Sequence, residues 1–263
     1  MCVILAAAAV FCFWQNNMLT VSQYEYENEK ISAELDGFKI VQISDLHNKQ
    51  FGAGQKRLLE RVSGCDPDII VITGDIVDSN HTDIGKALEF VEGAAEIAPV
   101  YYVTGNHELW LEDSELEELL DGISAAGAVI LDDGCVTVTS GDSSFILAGL
   151  DDSSLYNDTI KELELDNSRE PVILLAHEPQ YLTDYSRENV DLILAGHAHG
   201  GQFRLPFIGG IVAPDQGFFP EYTAGVYTEN ETEMIVSRGL GNSVIPLRLF
   251  NFPDIVCVTL RKC

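Results

Sequence analysis

Three observations predict an α/β domain. Apolar runs at residues 38–44, 68–73 and 100–104 alternate with helical patterns at 55–63 and 84–95, a β-α-β-α-β rhythm that gives parallel strands. Each run stops in polar residues: Asp45-Leu46-His47, Gly74-Asp75-Ile76-Val77-Asp78 and Gly105-Asn106-His107-Glu108. The carboxyl ends of parallel strands lie on one side of a sheet, where ligands of open α/β folds bind. The chain has 263 residues, 46% of them hydrophobic, which suits one sizeable core.

Taken in order, residues 2–14 form an unbroken apolar run without a basic flank, followed by Gln15-Asn16-Asn17. A signal anchor is expected here, with a buried terminal helix as the alternative; the run is shorter than the ~20 residues of a usual span. If it spans, the domain faces outward and the protein is membrane-associated and extracytoplasmic. Residues 1–36 are expected to be this segment plus an acidic connector, with the domain proper at 37–263. Removing residues 1–20 should then leave a soluble, active protein.

In the helical pattern at 55–63, Leu58, Leu59 and Val62 share one face. Residues 113–125 read as an acidic amphipathic helix with Leu116, Leu119, Leu120 and Ile123 inward. Strands are expected at 129–131, 136–139 and 145–150, separated by Asp/Gly turns that suggest antiparallel pairing. Asp151 and Asp152 read as solvated turn residues, with support of the site as the alternative, and 153–170 as loop plus a short helix. Residues 172–176 form another apolar strand, with His177-Glu178-Pro179 at its end.

The most informative stretch follows. Residues 190–195 form a buried strand, and Gly196 lets the chain turn so that His197 and His199 reach one mouth, with Gly200-Gly201 beyond. Imidazole suits zinc, iron, copper or nickel, and mixed carboxylate, amide and imidazole oxygens and nitrogens suit hard to borderline divalent cations. After residue 203 the chain is rich in Gly, Pro and aromatics, with strand-like pieces at 222–227, 233–237 and 255–260.

Formal net charge is −27, from 42 acids against 15 bases, which argues against a nucleic-acid backbone as partner. An anionic substrate would need divalent cations to reverse the field of an acidic cleft. The six cysteines form no CxxC pair, so neither a zinc ribbon nor a disulfide scaffold is indicated.

Together, Asp45-Leu46-His47, Gly74-Asp75-x-x-Asp78, Gly105-Asn106-His107-Glu108, His177 and Gly196-His197-Ala198-His199 resemble the calcineurin-like metallophosphoesterase superfamily over residues 38–260. Gly200-Gly201-Gln202-x-Arg204-Leu205-Pro206 and Ser237-Arg238-Gly239-Leu240-Gly241 further resemble membrane-associated bacterial phosphohydrolases related to UDP-2,3-diacylglucosamine pyrophosphatases. The resemblance implies a four-layer α/β/β/α sandwich with mixed sheets and two divalent ions (manganese, iron, zinc or cobalt). One ion would take Asp45, His47, Asp75 and His199, and the other Asp75, Asn106, His177 and His197. Ions ~3.5–4 Å apart clamp both sides of an in-line phosphoryl displacement, and a water they share becomes the nucleophile.

His107 matches a non-ligand position that donates a proton to the leaving oxygen; Glu108 would hold its imidazolium, and Asp78 would orient a ligand or His107. Arg204 and Arg248 are candidates for the substrate phosphate, and His81 fits no role. The implied activity is hydrolysis of a phosphoester or pyrophosphate in a phosphorylated small molecule or lipid-linked substrate. A cyclic-nucleotide or general phosphodiesterase, a protein phosphatase, and a non-catalytic metal-binding interaction scaffold are the alternatives.

Overall fold

The residues Ile69-Ile70-Val71-Ile72-Thr73 are buried without exception, as befits a parallel strand covered on both faces. The computed structural model describes residues 2–156, 159–242 and 245–263. The first half of the chain runs α1 (Cys2–Asn17), β1 (Thr20–Asn28), β2 (Lys39–Ile43), α2 (Lys56–Ser63), β3 (Ile69–Thr73), α3 (Ile84–Ala95), β4 (Val100–Val103), α4 (Asn106–Leu109), α5 (Asp113–Ala125) and β5 (Val129–Ile130). The second half opens with β6 (Gly134–Ser140), β7 (Ser143–Gly149), α6 (Thr159–Glu162), β8 (Val172–Leu175), α7 (Leu182–Tyr185) and β9 (Leu192–Ala195). Two small hairpins follow, β10 (Arg204–Leu205) with β11 (Gly209–Gly210) and β12 (Val212–Ala213) with β13 (Gly217–Phe218), and then β14 (Gly225–Glu229), β15 (Thr232–Val236) and β16 (Asp254–Lys262). Of the stretch 153–170, residues 157 and 158 lie outside the described residues.

Two six-stranded mixed sheets result, ordered β1-β16-β2-β3-β4-β5 and β14-β15-β9-β8-β7-β6. Their inner faces meet through Ile40, Val71 and Val103 of the first and Phe145, Leu147, Ile173 and Leu194 of the second. The outer face of the first sheet packs Val41, Ile43, Ile70 and Ile72 against Leu58, Phe90, Leu119 and Ile123 of its helices. Leu174, Ile193 and Val236 on the other outer face meet Ile160, Leu182 and Tyr185. The fold is therefore the expected α/β/β/α sandwich. Gln42, wholly buried, crosses it by donating to Thr73 Oγ1 and to the Ala195 carbonyl, both at 2.9 Å, and so ties together strand ends from both sheets.

Two expectations about the strands need correction. Residues 129–130 pair parallel with β4 at the edge of the first sheet, because α5 returns the chain to that sheet before β6 begins the next; only β6 and β7 form the antiparallel pair. The acidic connector contains a strand: β1 runs parallel to β16 through nine paired residues, so the domain takes in residues before 37. Tyr24 and Tyr26 pack toward the inter-sheet core, while Glu25 and Glu27 face outward, a common way of guarding an edge.

The apolar N-terminal run is helical to Asn17, and its last turn is knitted into the domain. Gln15 is buried, the Asn16 carbonyl accepts from Lys49 Nζ, Asn16 Oδ1 accepts the Arg248 backbone N–H at 3.0 Å, and Arg57 donates to the Asn17 carbonyl at 3.1 Å. The last turn of α1 is thus packed into the domain, where a detachable segment is expected. Among the described residues no helix is long and apolar enough to cross a membrane.

Candidate metal centre

The polar residues at the strand ends converge. β2 delivers Asp45 and His47, β3 delivers Asp75, β4 delivers Asn106 and His107, β8 delivers His177, and β9 delivers His197 and His199; all are buried. The turns that do this are conformationally demanding. Asp45, His47, Asp75, His197 and His199, five of the seven candidate ligands, have φ between 47° and 63°, a left-handed region that L-residues visit rarely. Glycine is required beside them: at Gly74 (φ +80°) a Cβ would lie 2.6 Å from His177 Nδ1, and at Gly196 it would lie 1.9 Å from Ser44 Oγ.

The side chains form two groups that share one carboxylate. In the first, Asp45, His47, Asp75 and His199 offer ligand atoms within 4.8 Å of one another, with His47 Nε2 3.2 Å from His199 Nε2 and 3.5 Å from Asp75 Oδ2. In the second, His177 Nε2 lies 3.2 Å from Asp75 Oδ2, 3.1 Å from Asn106 Oδ1 and 3.2 Å from His197 Nδ1. Asp75 Oδ1 accepts the His107 N–H at 2.9 Å, whereas Asp75 Oδ2 and Asp45 Oδ2 are buried with no hydrogen-bond partner among the described residues. Buried polar atoms are ordinarily paired, so oxygens left open between facing imidazole nitrogens fit cations.

Electrostatics agree. Burial acts to raise the Asp75 carboxyl, but His177 and His47 outweigh it and hold the group well below its ordinary range. Burial, and then His47, keeps His199 well below its ordinary value, and burial lowers His47 too, which favours the uncharged form of each ring that can ligate a metal. His177 Nδ1 donates to the Thr73 carbonyl at 2.8 Å, which aims Nε2 at Asp75 and Asn106; burial acts to lower this imidazole, but the Asp75 charge outweighs it and raises the ring well above its ordinary range, so a proton holds the place a cation would take.

The expected supporting residues fall out differently. Glu108 does not face the His107 ring: its carboxylate accepts the N–H groups of Asp75 (2.7 Å), Gly105 (2.8 Å) and Val77 (3.2 Å), because the third residue of a helical turn points back over the turn's start. His107 Nδ1 accepts the Ser79 backbone N–H at 3.2 Å and lies 3.8 Å from Asp78 Oδ1, so Ser79 is the closer partner and Asp78 the neighbouring charge.

Arg248 does not present itself to a substrate. It is wholly buried, with Nε donating to the Gly241 carbonyl at 2.9 Å and Nη1 to the Arg238 carbonyl at 2.7 Å, and with Nη2 3.5 Å from His199 Nδ1. Arg204 is half-buried, and its Nη1 donates to the Gly200 carbonyl and Thr223 Oγ1. Asp152 is buried rather than solvated, and burial pushes its carboxyl up to about 7. His81 is exposed. Asp215, which carries no sequence signal, hydrogen-bonds His197 Nε2 at 2.9 Å.

A mixed α/β sandwich with His, Asp and Asn at the strand ends defines a metallophosphoesterase. The calcineurin-like phosphoesterase family model matches residues 38–201, and the chain belongs to that family of hydrolases. It is 32% identical to the uncharacterized metallophosphoesterase YkuE of Bacillus subtilis, over 95% of this chain and 88% of the relative. It is 28% identical to the phosphodiesterase YaeI of Escherichia coli, over 85% of this chain and 82% of the relative. A zebrafish (Danio rerio) transmembrane protein with metallophosphoesterase domain is 28% identical, over 92% of this chain and 57% of that protein. Among solved structures, TT1561 of Thermus thermophilus shares the fold with a TM-score of 0.51 at 14% identity, over 78% of this chain and 90% of that one.

Proposed function

We propose that this protein is a dinuclear metal-dependent phosphohydrolase. One divalent cation is held by Asp45, His47, Asp75 and His199, and the other by Asp75, Asn106, His177 and His197. The observation that carries this reading is the sharing of Asp75: its unpartnered Oδ2 stands 3.5 Å from His47 Nε2 and 3.2 Å from His177 Nε2. Cations bound there would lower the pKa of water toward neutrality and offset phosphoryl charge. His107 donates a hydrogen to the leaving oxygen from Nε2, since the Ser79 N–H engages Nδ1. Asp75 and Asp45 also brace neighbouring loops, accepting the backbone N–H groups of the proton donor His107 and of the ligand His197, each at 2.9 Å.

The bond cleaved is a phosphodiester or a pyrophosphate. The name of YaeI, a phosphodiesterase, supports the diester. The motifs resembling UDP-2,3-diacylglucosamine pyrophosphatases speak to loop geometry rather than to substrate: Gly241 N–H donates to the Asp45 carbonyl at 2.6 Å, and a Cβ on Gly239 would lie 2.7 Å from that of Asp45. A small phosphorylated or lipid-linked substrate fits the net charge of −27 better than a nucleic acid.

A membrane-surface location for α1 is part of the proposal. Residues 3–10 are exposed at every position and carry no charge, so the helix is apolar on all sides, which suits lipid better than a protein groove that covers one face. The name of the zebrafish relative supports this, and flotation of the full chain with phosphatidylcholine vesicles tests it. For the chemistry, the protein reconstituted with Mn²⁺ is assayed against bis-p-nitrophenyl phosphate, a nucleoside diphosphate sugar, a lipid phosphate and a phosphopeptide. Metal-dependent turnover of one class supports the reading, and none with any of them contradicts it.

A further inference from the structure

The His197 ring is buried and is contacted at both nitrogens. Nδ1 lies 3.0 Å from Asn106 Oδ1 and 3.2 Å from His177 Nε2, while Nε2 lies 2.9 Å from Asp215 Oδ2. A neutral imidazole carries one hydrogen, and a carboxylate can only accept, so Asp215 draws that hydrogen to Nε2 and leaves the Nδ1 lone pair facing the cluster. His177 reaches the same end with a backbone carbonyl, that of Thr73. For His197 the acceptor is a side chain from a different part of the chain.

Asp215 sits on the turn of the hairpin formed by β12 and β13, beyond the residues 38–201 that the family model matches. The turn is braced: Gln216 donates from Nε2 to the Tyr222 carbonyl at 2.8 Å and accepts the Tyr222 N–H at 2.9 Å. Glu178, the other carboxylate grouped with His197 and Asp215, is engaged by Gln180 Nε2. The Asp215 side chain is 66% exposed, and among the described residues its removal unpairs His197 Nε2 and no other group in the core.

We infer that Asp215 is a positioning residue for the second metal ion, holding His197 in the tautomer that ligates through Nδ1. This rests on the reading of Asp75, Asn106, His177 and His197 as ligands. Loss of such an outer partner typically weakens metal affinity by about 10–100-fold.

The test uses the full chain and its variants Asp215→Ala and Asp215→Asn, with Mn²⁺ titrated calorimetrically and imidazole ¹⁵N–¹H correlation spectra recorded without metal. Asp215→Ala should weaken one of two Mn²⁺ ions by about 10–100-fold, spare the other, and lose the exclusive Nε2–H signature of His197 at an unchanged Tm. Asp215→Asn, whose amide oxygen still accepts, should recover most of both. Wild-type affinity for both ions in Asp215→Ala, an unaltered His197 tautomer, or equal weakening of both ions would overturn the inference. Failure of the unmutated protein to bind two ions would overturn the ligand reading itself, and it is seen before any substitution is made.

Discussion

The Glu108 carboxylate accepts the Asp75 backbone N–H at 2.7 Å, and so fixes, from one strand end, the loop that carries the shared carboxylate at another. Burial and the Asp75 charge push Glu108 up to about 8, while three backbone N–H groups favour its charged form. Glu108→Gln keeps the shape but turns an N–H₂ toward one or more of those donors. A loss of about 1–3 kcal/mol in denaturant unfolding is expected, with a fall in activity. Unchanged stability would mean that the clamp contributes nothing.

His107→Ala separates proton donation from metal binding. A donor matters most for strongly basic leaving groups, so the variant should lose about 10²–10⁴-fold on alkyl phosphoesters, less on p-nitrophenyl esters, and keep its metal content. Equal loss on both ester types, or lost metal, would make His107 a ligand or a positioning group.

Truncation distinguishes the two halves of α1. Residues 3–10 are exposed, whereas Gln15 is buried and Asn16 contacts Lys49 and Arg248, the latter with Nη2 3.5 Å from His199 Nδ1. Deleting residues 1–10 should leave Tm and activity near those of the full chain, while deleting 1–20 should lower both. Equal behaviour of the two deletions would refute this division.

Asp132 supplies a pH dependence. Burial pushes its carboxyl up to about 7, despite the Thr104 N–H that it accepts at 2.8 Å. A raised folded-state pKa contributes stability that is complete below the unfolded value of about 4 and is lost as pH rises through the folded value. The stability of the wild type minus that of Asp132→Asn should therefore fall between about pH 4 and pH 7. Parallel profiles of the two proteins across that range would contradict it.

The candidate ligands are legible because each is local to a pattern: a polar residue at the end of an apolar strand, with glycine (Gly74, Gly105, Gly196) at three of the five turns. What escaped depends on distant chain. β1 looks acidic and linker-like because its partner β16 lies more than two hundred residues on, and only that pairing gives Tyr24 and Tyr26 an inside. Arg248 resembles a phosphate ligand until the carbonyls of Arg238 and Gly241 enclose it. Proximity to His107 misled for Glu108, whose side chain turns back to Gly105. Asp215 has no neighbour in sequence that betrays its role, since it acts on a histidine from a separate hairpin.

The central claim is that Asp75 bridges two ions, and metal stoichiometry tests it most directly. Full-length protein and Asp75→Asn, equilibrated with Mn²⁺ and freed of excess, are analysed by atomic emission, with circular dichroism as a check on folding. The unmutated chain should hold two ions. The variant should be folded, hold fewer than two, and hydrolyse no phosphoester. Two tightly held ions and near-normal turnover in Asp75→Asn would contradict the account.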